Sequence, residues 1–291
     1  MRRTVNDAFS VFLSRLVPTD AQRAAGAKHR ATVKSALEKS LDVSTFYETG
    51  SFSHGTGVRG YSDIDALVSL RGGRPGSSYT ALSWVKSALE ARFPLTIVRI
   101  SRPAVVVEFG GGYETWEIIP GFMTSRGGQG QFVYDVPGAA TGSWMDSAPK
   151  EHLAYVNSCN KKPTKGNAKS LTRLIKAWKY YCNVPISSFY LEMRCAQYVK
   201  GLDTYVHVWD VCLVLEKLNR LQLAAMNDPS GATGRIYACS SDSTAQVALS
   251  KLNTAATRAR KALDAYQDDK FDDAFYYLDL LFNGRFPAQY V

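Results

Sequence analysis

Gly50-Ser51-Phe52-Ser53-His54-Gly55-Thr56, followed shortly by Gly60-Tyr61-Ser62-Asp63-Ile64-Asp65, is the stretch on which the reading of this chain turns. Asp63 and Asp65 flank one isoleucine, and Ala66-Leu67-Val68 continues from them as an apolar run. Side chains alternate along a strand, so the two aspartates project from one face at the mouth of a buried strand. Carboxylates so spaced suit a hard cation such as Mg²⁺, which takes oxygen ligands and keeps waters or phosphates as the others. Gly50-Ser51 is expected at the end of the preceding strand. A glycine permits close backbone approach to a phosphate, and a serine adds a hydroxyl and an amide. Neither pair is informative alone. A strand, Gly-Ser, a short insertion and Asp-x-Asp opening the next strand form a far more specific pattern.

Working outward, apolar spacing predicts helices over Asn6 to Leu16, stopped by Pro18, and over Ala21 to Leu41. Strands are expected over Val43 to Tyr47 and Ile64 to Leu70, then a helix over Tyr79 to Arg92. Three further strands fall over Leu95 to Ile100, Ala104 to Phe109 and Tyr113 to Ile119, the last two joined by the hairpin signal Gly110-Gly111-Gly112. From about Pro149 the pattern becomes helical to the end, apart from a polar break over Asn227 to Ser243. The expected class is α+β: a mixed sheet with helices, followed by an all-helical lobe, with the site in the cleft between them. The expected domains are 1–160, with a long N-terminal helix, and 161–291.

The chain has 291 residues, of which 45% are hydrophobic and 21% charged, which excludes a disordered, collagen-like or coiled-coil protein. Lys and Arg outnumber Asp and Glu by 35 to 26, with the larger excess after Asn160, so anionic partners are favoured. Five separated cysteines with no Cys-x-x-Cys, and four scattered histidines, give no zinc-binding spacing. The first residues lack the apolar segment of a signal peptide, and no run approaches the roughly 20 apolar residues of a membrane span. A cytoplasmic protein with no membrane partner is expected.

On the Gly50-Ser51 pair, with eleven residues before Asp63-Ile64-Asp65, the chain resembles the polymerase-β-like nucleotidyltransferases, in particular the cyclic GMP–AMP synthase/DncV-like branch (bacterial CD-NTases). The resemblance implies a third carboxylate on a later strand, before a proline. Glu117-Ile118-Ile119-Pro120 supplies it, with glutamate where the branch carries aspartate; Glu108 and Glu114 are the fallback positions. Asp63, Asp65 and Glu117 would then be catalytic and hold two Mg²⁺ ions, with Mn²⁺ as a substitute, while Gly50 and Ser51 bind nucleotide. In the helical half, Leu171, Leu174, Ile175 and Trp178 form an apolar face, with Lys165, Lys169, Arg173, Lys176 and Lys179 opposite. Relatives bind phosphates through a lysine of this helix, matched by Lys176. The segment Ser187-Ser188-Phe189-Tyr190-Leu191-Glu192 resembles the branch's Ser-aromatic segment, which implies phosphate contact at Ser188 and base stacking at Phe189, a ring that could equally be core.

The resemblance implies an enzyme that joins nucleoside triphosphates (ATP and/or GTP, with pyrimidine nucleotides as further candidates) into a cyclic di- or trinucleotide with release of pyrophosphate. In bacteria such a product activates a separate effector during antiphage signalling. A superfamily member that modifies RNA, protein or a small molecule is the alternative. A non-catalytic nucleic-acid binder is disfavoured, because converging carboxylates would repel a polyanion unless metals intervened. Nothing resembles a duplex clamp, so no obligatory DNA or RNA activator is expected. His54 reads as a turn residue and His152 as a residue that packs locally.

Overall fold

Two capped helices open the chain. The computed structural model describes residues 2–61, 63–128, 130–161 and 166–290. Thr4 with Asp7 begins α1 (Val5–Leu16), and Thr19 with Gln22 begins α2 (Asp20–Ser40). Each threonine accepts from the N3 amide while the N3 side chain takes the cap amide, satisfying two otherwise unpaired donors.

The sheet follows from the strand patterns. β1 (Val43–Thr49), α3 (Gly50–His54), β2 (Ile64–Leu70), α4 (Ser78–Arg92), β3 (Ile97–Ser101), β4 (Ala104–Phe109) and β5 (Glu114–Met123) succeed one another. β6 (Tyr134–Pro137) and β7 (Trp144–Ser147), which the sequence pattern did not signal, complete it. The order is β1-β2-β5-β4-β3, with β6 on β5 and β7 on β6. Only β2 and β5 are parallel among the described pairs; the rest are antiparallel. Ile64, Ala66, Val68, Trp116, Ile118, Val105 and Val107 form one face, buried with Leu82, Val85 and Leu89 of α4 and Val33 and Leu37 of α2. The opposite face at this end of the sheet carries the acids.

The helical half holds α5 (Pro149–Lys161), α6 (Asn167–Tyr181), α7 (Ser188–Lys200), α8 (His207–Arg220), α9 (Asp242–Gln267) and α10 (Phe271–Leu281), with a small ladder of β8 (Met226–Asn227) and β9 (Arg235–Ile236) in the polar break. Its apolar cluster takes in Leu171, Leu174, Ile175 and Trp178, the face expected of α6. It also takes in Phe9, Phe12 and Leu16 of α1 and Val156 and Cys159 of α5. The division at residue 160 therefore does not coincide with the two cores. α1 packs Phe9 and Phe12 edge-to-face against Phe282 and Phe286 near the other end of the chain, so the first helix belongs in space to the helical part. Among the described residues no helix is long and apolar enough to cross a membrane.

Candidate active site

Register places the acids. Asp65 on β2 is the direct partner of Glu117 on β5, and residues paired in register share a face. Asp63 stands just before β2 begins, close enough for its charge to act on both Asp65 and Glu117. Glu108 on β4, paired with Thr115, shares the face of Asp65 and Glu117, but Arg99 on β3 holds it, Nε donating to Oε1 at 3.1 Å. Glu114 is on the other face, where it accepts from Trp116 Nε1 at 2.6 Å and meets His29 Nδ1 at 2.9 Å. Of the candidates for third carboxylate, Glu117 is the one in register with Asp65.

The three carboxylates perturb one another. Burial, then Glu117 and Asp63, push Asp65 up to about 8 against the pull of Lys176. Burial and Asp63 also raise Glu117, although Arg99 and a hydrogen bond with Asp65 oppose them. Asp63 is raised by burial, with Arg99 opposing and Glu108 adding to the shift. Like charges in one partly desolvated place disfavour ionisation until a cation joins them. An all-oxygen donor set under such repulsion fits a divalent hard cation. Among the described residues no three His, Cys, Asp or Glu side chains are already gathered into a metal cage.

Gly50 and Ser51 follow directly on the last residue of β1, at the strand end where they are expected, and open α3. Asp65 fills the space beside Gly50, where a Cβ would stand 1.8 Å from Asp65 Oδ2, and Gly50 has φ of +63°. Glycine alone tolerates both the contact and the backbone. Gly50 is thereby packed directly on Asp65. A cavity of about 210 Å³ is lined in part by Phe52, Arg59, Tyr61, Asp63 and Glu114; it reaches Asp63 but neither Asp65 nor Glu117.

The basic stripe of α6 is a seam with the sheet-bearing half, not a solvated surface. Lys169 places its ammonium 3.7 Å from where a Gly55 Cβ would lie. Arg173 donates to the carbonyls of Gly55 and Gly57, the latter from Nε at 3.0 Å. Tyr180 stacks on Tyr61 with ring centroids 5.1 Å apart. Lys165 lies outside the described residues.

Lys176 corrects the expectation of an open phosphate ligand. It is 1% exposed, and its Nζ donates to Glu192 Oε2 at 2.6 Å and to Thr56 Oγ1 at 3.1 Å. A cation removed from water must be paired, and Glu192 of α7 is the partner. The next lysine, Lys179, donates instead to Ser188 Oγ at 2.6 Å; burial and then Lys176 lower its pKa to about 8. Ser188 also meets the Tyr180 hydroxyl at 3.1 Å. Phe189, for which base stacking and core packing are both open, is partly buried on the helical core, against His152 at 4.8 Å between centroids. His152 in turn bonds Asp228. Arg99, Lys179 and Glu192 were not assigned a role from sequence. Alternation along β3 could have flagged Arg99, whereas the partner of Lys176 has no local signal.

A mixed sheet with acids on one face, a Gly-Ser turn against them and a helical lobe closing over the turn is the architecture of a polymerase-β-like nucleotidyltransferase. Residues 3–160, more than half of the chain, match the family model "Second Messenger Oligonucleotide or Dinucleotide Synthetase domain" (SMODS), and the chain belongs to that family. It is thus a nucleotidyltransferase of the class that synthesises cyclic oligonucleotides. Among solved structures it is similar to Escherichia coli MS115-1 CdnC with ATP, at TM-score 0.76 and 17% identity over 97% of this chain and 99% of that one. Vibrio cholerae DncV cyclic AMP-GMP synthase, in complex with a linear intermediate, gives TM-score 0.75 and 12% identity over 99% and 98%. Bradyrhizobium diazoefficiens CdnG with GTP gives 0.74 and 11% over 96% and 98%. A search of curated proteins by sequence finds no match.

Proposed function

We propose that this enzyme joins nucleoside triphosphates into a cyclic di- or trinucleotide, releasing pyrophosphate, and that Asp63, Asp65 and Glu117 carry the chemistry. The observation that carries the assignment is the register of Asp65 with Glu117, two residues beyond Asp63, beside a Gly50 on which Asp65 packs. Divalent cations, Mg²⁺ or Mn²⁺, held by these three carboxylates would neutralise the phosphates and favour the alkoxide form of the attacking hydroxyl. Gly50 and Ser51 accept the triphosphate by backbone and hydroxyl. Lys179 and Ser188, bonded to each other across α6 and α7, bind phosphate from the helical side. Lys176 supports the site from within.

The nucleotide-bound CdnC and CdnG structures support ATP and GTP as the substrate class. We further propose that the product acts on a separate effector in bacterial antiphage signalling, that the enzyme works in the cytoplasm, and that it needs no nucleic-acid activator. Incubation with all four labelled triphosphates and Mg²⁺ or Mn²⁺, followed by phosphatase, tests the proposal. A phosphatase-resistant cyclic product is expected; a ladder of linear RNA or label on protein would overturn it.

A further inference from the structure

Glu192 is nearly inaccessible, at 2% exposed, yet gathers three donors from two parts of the chain. Its Oε1 accepts from His54 Nδ1, and its Oε2 accepts from Thr56 Oγ1 at 2.7 Å and Lys176 Nζ at 2.6 Å. Burial alone would push this carboxyl up, but Lys176 and His54 hold it well below the usual range. An ionised carboxylate only accepts, so His54 donates to it from Nδ1. His54 is the last residue of α3, and Thr56 lies two residues on. The Thr56 amide donates back to the Ser51 carbonyl at 2.9 Å. A continuous chain of hydrogen bonds therefore runs from Glu192 through Thr56 to Ser51. A second arm reaches the end of the same five-residue helix through His54. Arg173 adds its hold on the Gly55 and Gly57 carbonyls.

We propose that Glu192, with His54, Thr56 and Lys176, is a positioning cluster that fixes the Gly50-Ser51 turn in the place where it receives triphosphate; this rests on the nucleotide role of that turn proposed above. A turn of five residues has too few internal hydrogen bonds to hold its own position. Phosphate contacts need placement to within a fraction of an ångström, and the helical lobe supplies it through one buried carboxylate. A cluster this buried would cost stability to keep unless every member is paired, and among these four side chains each has at least one partner.

The test uses the full chain and two readouts. Hydrogen exchange of peptides spanning 49–57 is measured without ligand, and the affinity for a non-hydrolysable ATP analogue with Mg²⁺ by calorimetry. Both are taken well below the melting temperature of each variant. Glu192→Gln and Thr56→Val are expected to speed exchange in that segment and to weaken the analogue about tenfold or more. Thr56→Ser, which keeps the hydroxyl, is expected to restore wild-type behaviour. Leu263→Ala, in the helical core, lowers stability and is expected to leave both readouts unchanged. Unaltered exchange in 49–57, or faster exchange with unaltered affinity, would overturn the proposal. If the wild-type chain binds no triphosphate, the nucleotide role of the turn fails and the positioning role with it, whereas the exchange data still report whether Glu192 anchors the segment.

Discussion

Asp65 is the residue at which the fold meets the proposed chemistry. Its carboxyl is held near 8, against an ordinary 3.8, by burial and by Glu117 and Asp63. A group whose folded pKa is raised stabilises the fold fully below its unfolded value and loses that contribution as pH rises through the folded one. Without metal, the wild-type chain is therefore expected to lose stability between about pH 4 and pH 8 through this group. Asp65→Asn, which cannot ionise, escapes that loss. Melting curves at pH 5 and pH 8 check this: the advantage of the variant should grow with pH, and Mg²⁺ at pH 8 should stabilise wild type and not Asp65→Asn. Equal pH dependence of the two would contradict the charge cluster. Glu117→Ala is expected to lower kcat by about a hundredfold or more, as removal of a charge-stabilising group does, while Glu108→Ala has the smaller effect because Arg99 already pairs that acid. The reverse order in steady-state rates would move the third carboxylate to β4. Asp63 and Asp65 were legible in sequence because their spacing at the mouth of an apolar strand marks them. Glu117 was not fully so, since its choice over Glu108 and Glu114 depends on strand register.

Helix α6 shows how far a periodic pattern reaches. Its apolar face was readable, and Leu171, Leu174, Ile175 and Trp178 are buried as the spacing requires. The opposite stripe carries Lys169, Arg173, Lys176 and Lys179, and spacing cannot tell solvent from a second layer of protein. Only the fold shows Lys176 under Thr56 and against Glu192, a residue of the next helix. Likewise α3 was hidden, because a five-residue helix is shorter than any periodic signal, and β6 and β7 have four residues each. The two lysines consequently separate in their expected behaviour. Lys176→Met leaves Glu192 buried beside His54 without its main cation and should cost about 3–5 kcal/mol of stability, read from denaturant unfolding. Lys179→Met should leave stability within about 1 kcal/mol and raise KM for nucleotide, as loss of a phosphate contact does. Matching melting temperatures for the two variants would contradict the burial of Lys176.

On the scale of the whole molecule, the two larger apolar cores among the described residues are joined by a polar seam, and the first helix crosses to the far core. The expected α+β class and its helical second half were legible from the switch in periodicity near Pro149. The place of α1 was not, because its apolar face shows that it packs and not on which core. Turnover is expected without added DNA or RNA, and a phage challenge should show protection by wild type that is lost in the Asp63→Asn/Asp65→Asn double variant. Equal protection by both would separate defence from catalysis. The most direct measurement is pyrophosphate release by the purified chain with mixed triphosphates and Mg²⁺ or Mn²⁺, wild type beside that double variant. The expected result is steady release in wild type, matched by a cyclic product, and none above background in the variant with its melting curve still cooperative; release at the wild-type rate by the folded double variant would contradict the assignment of this site.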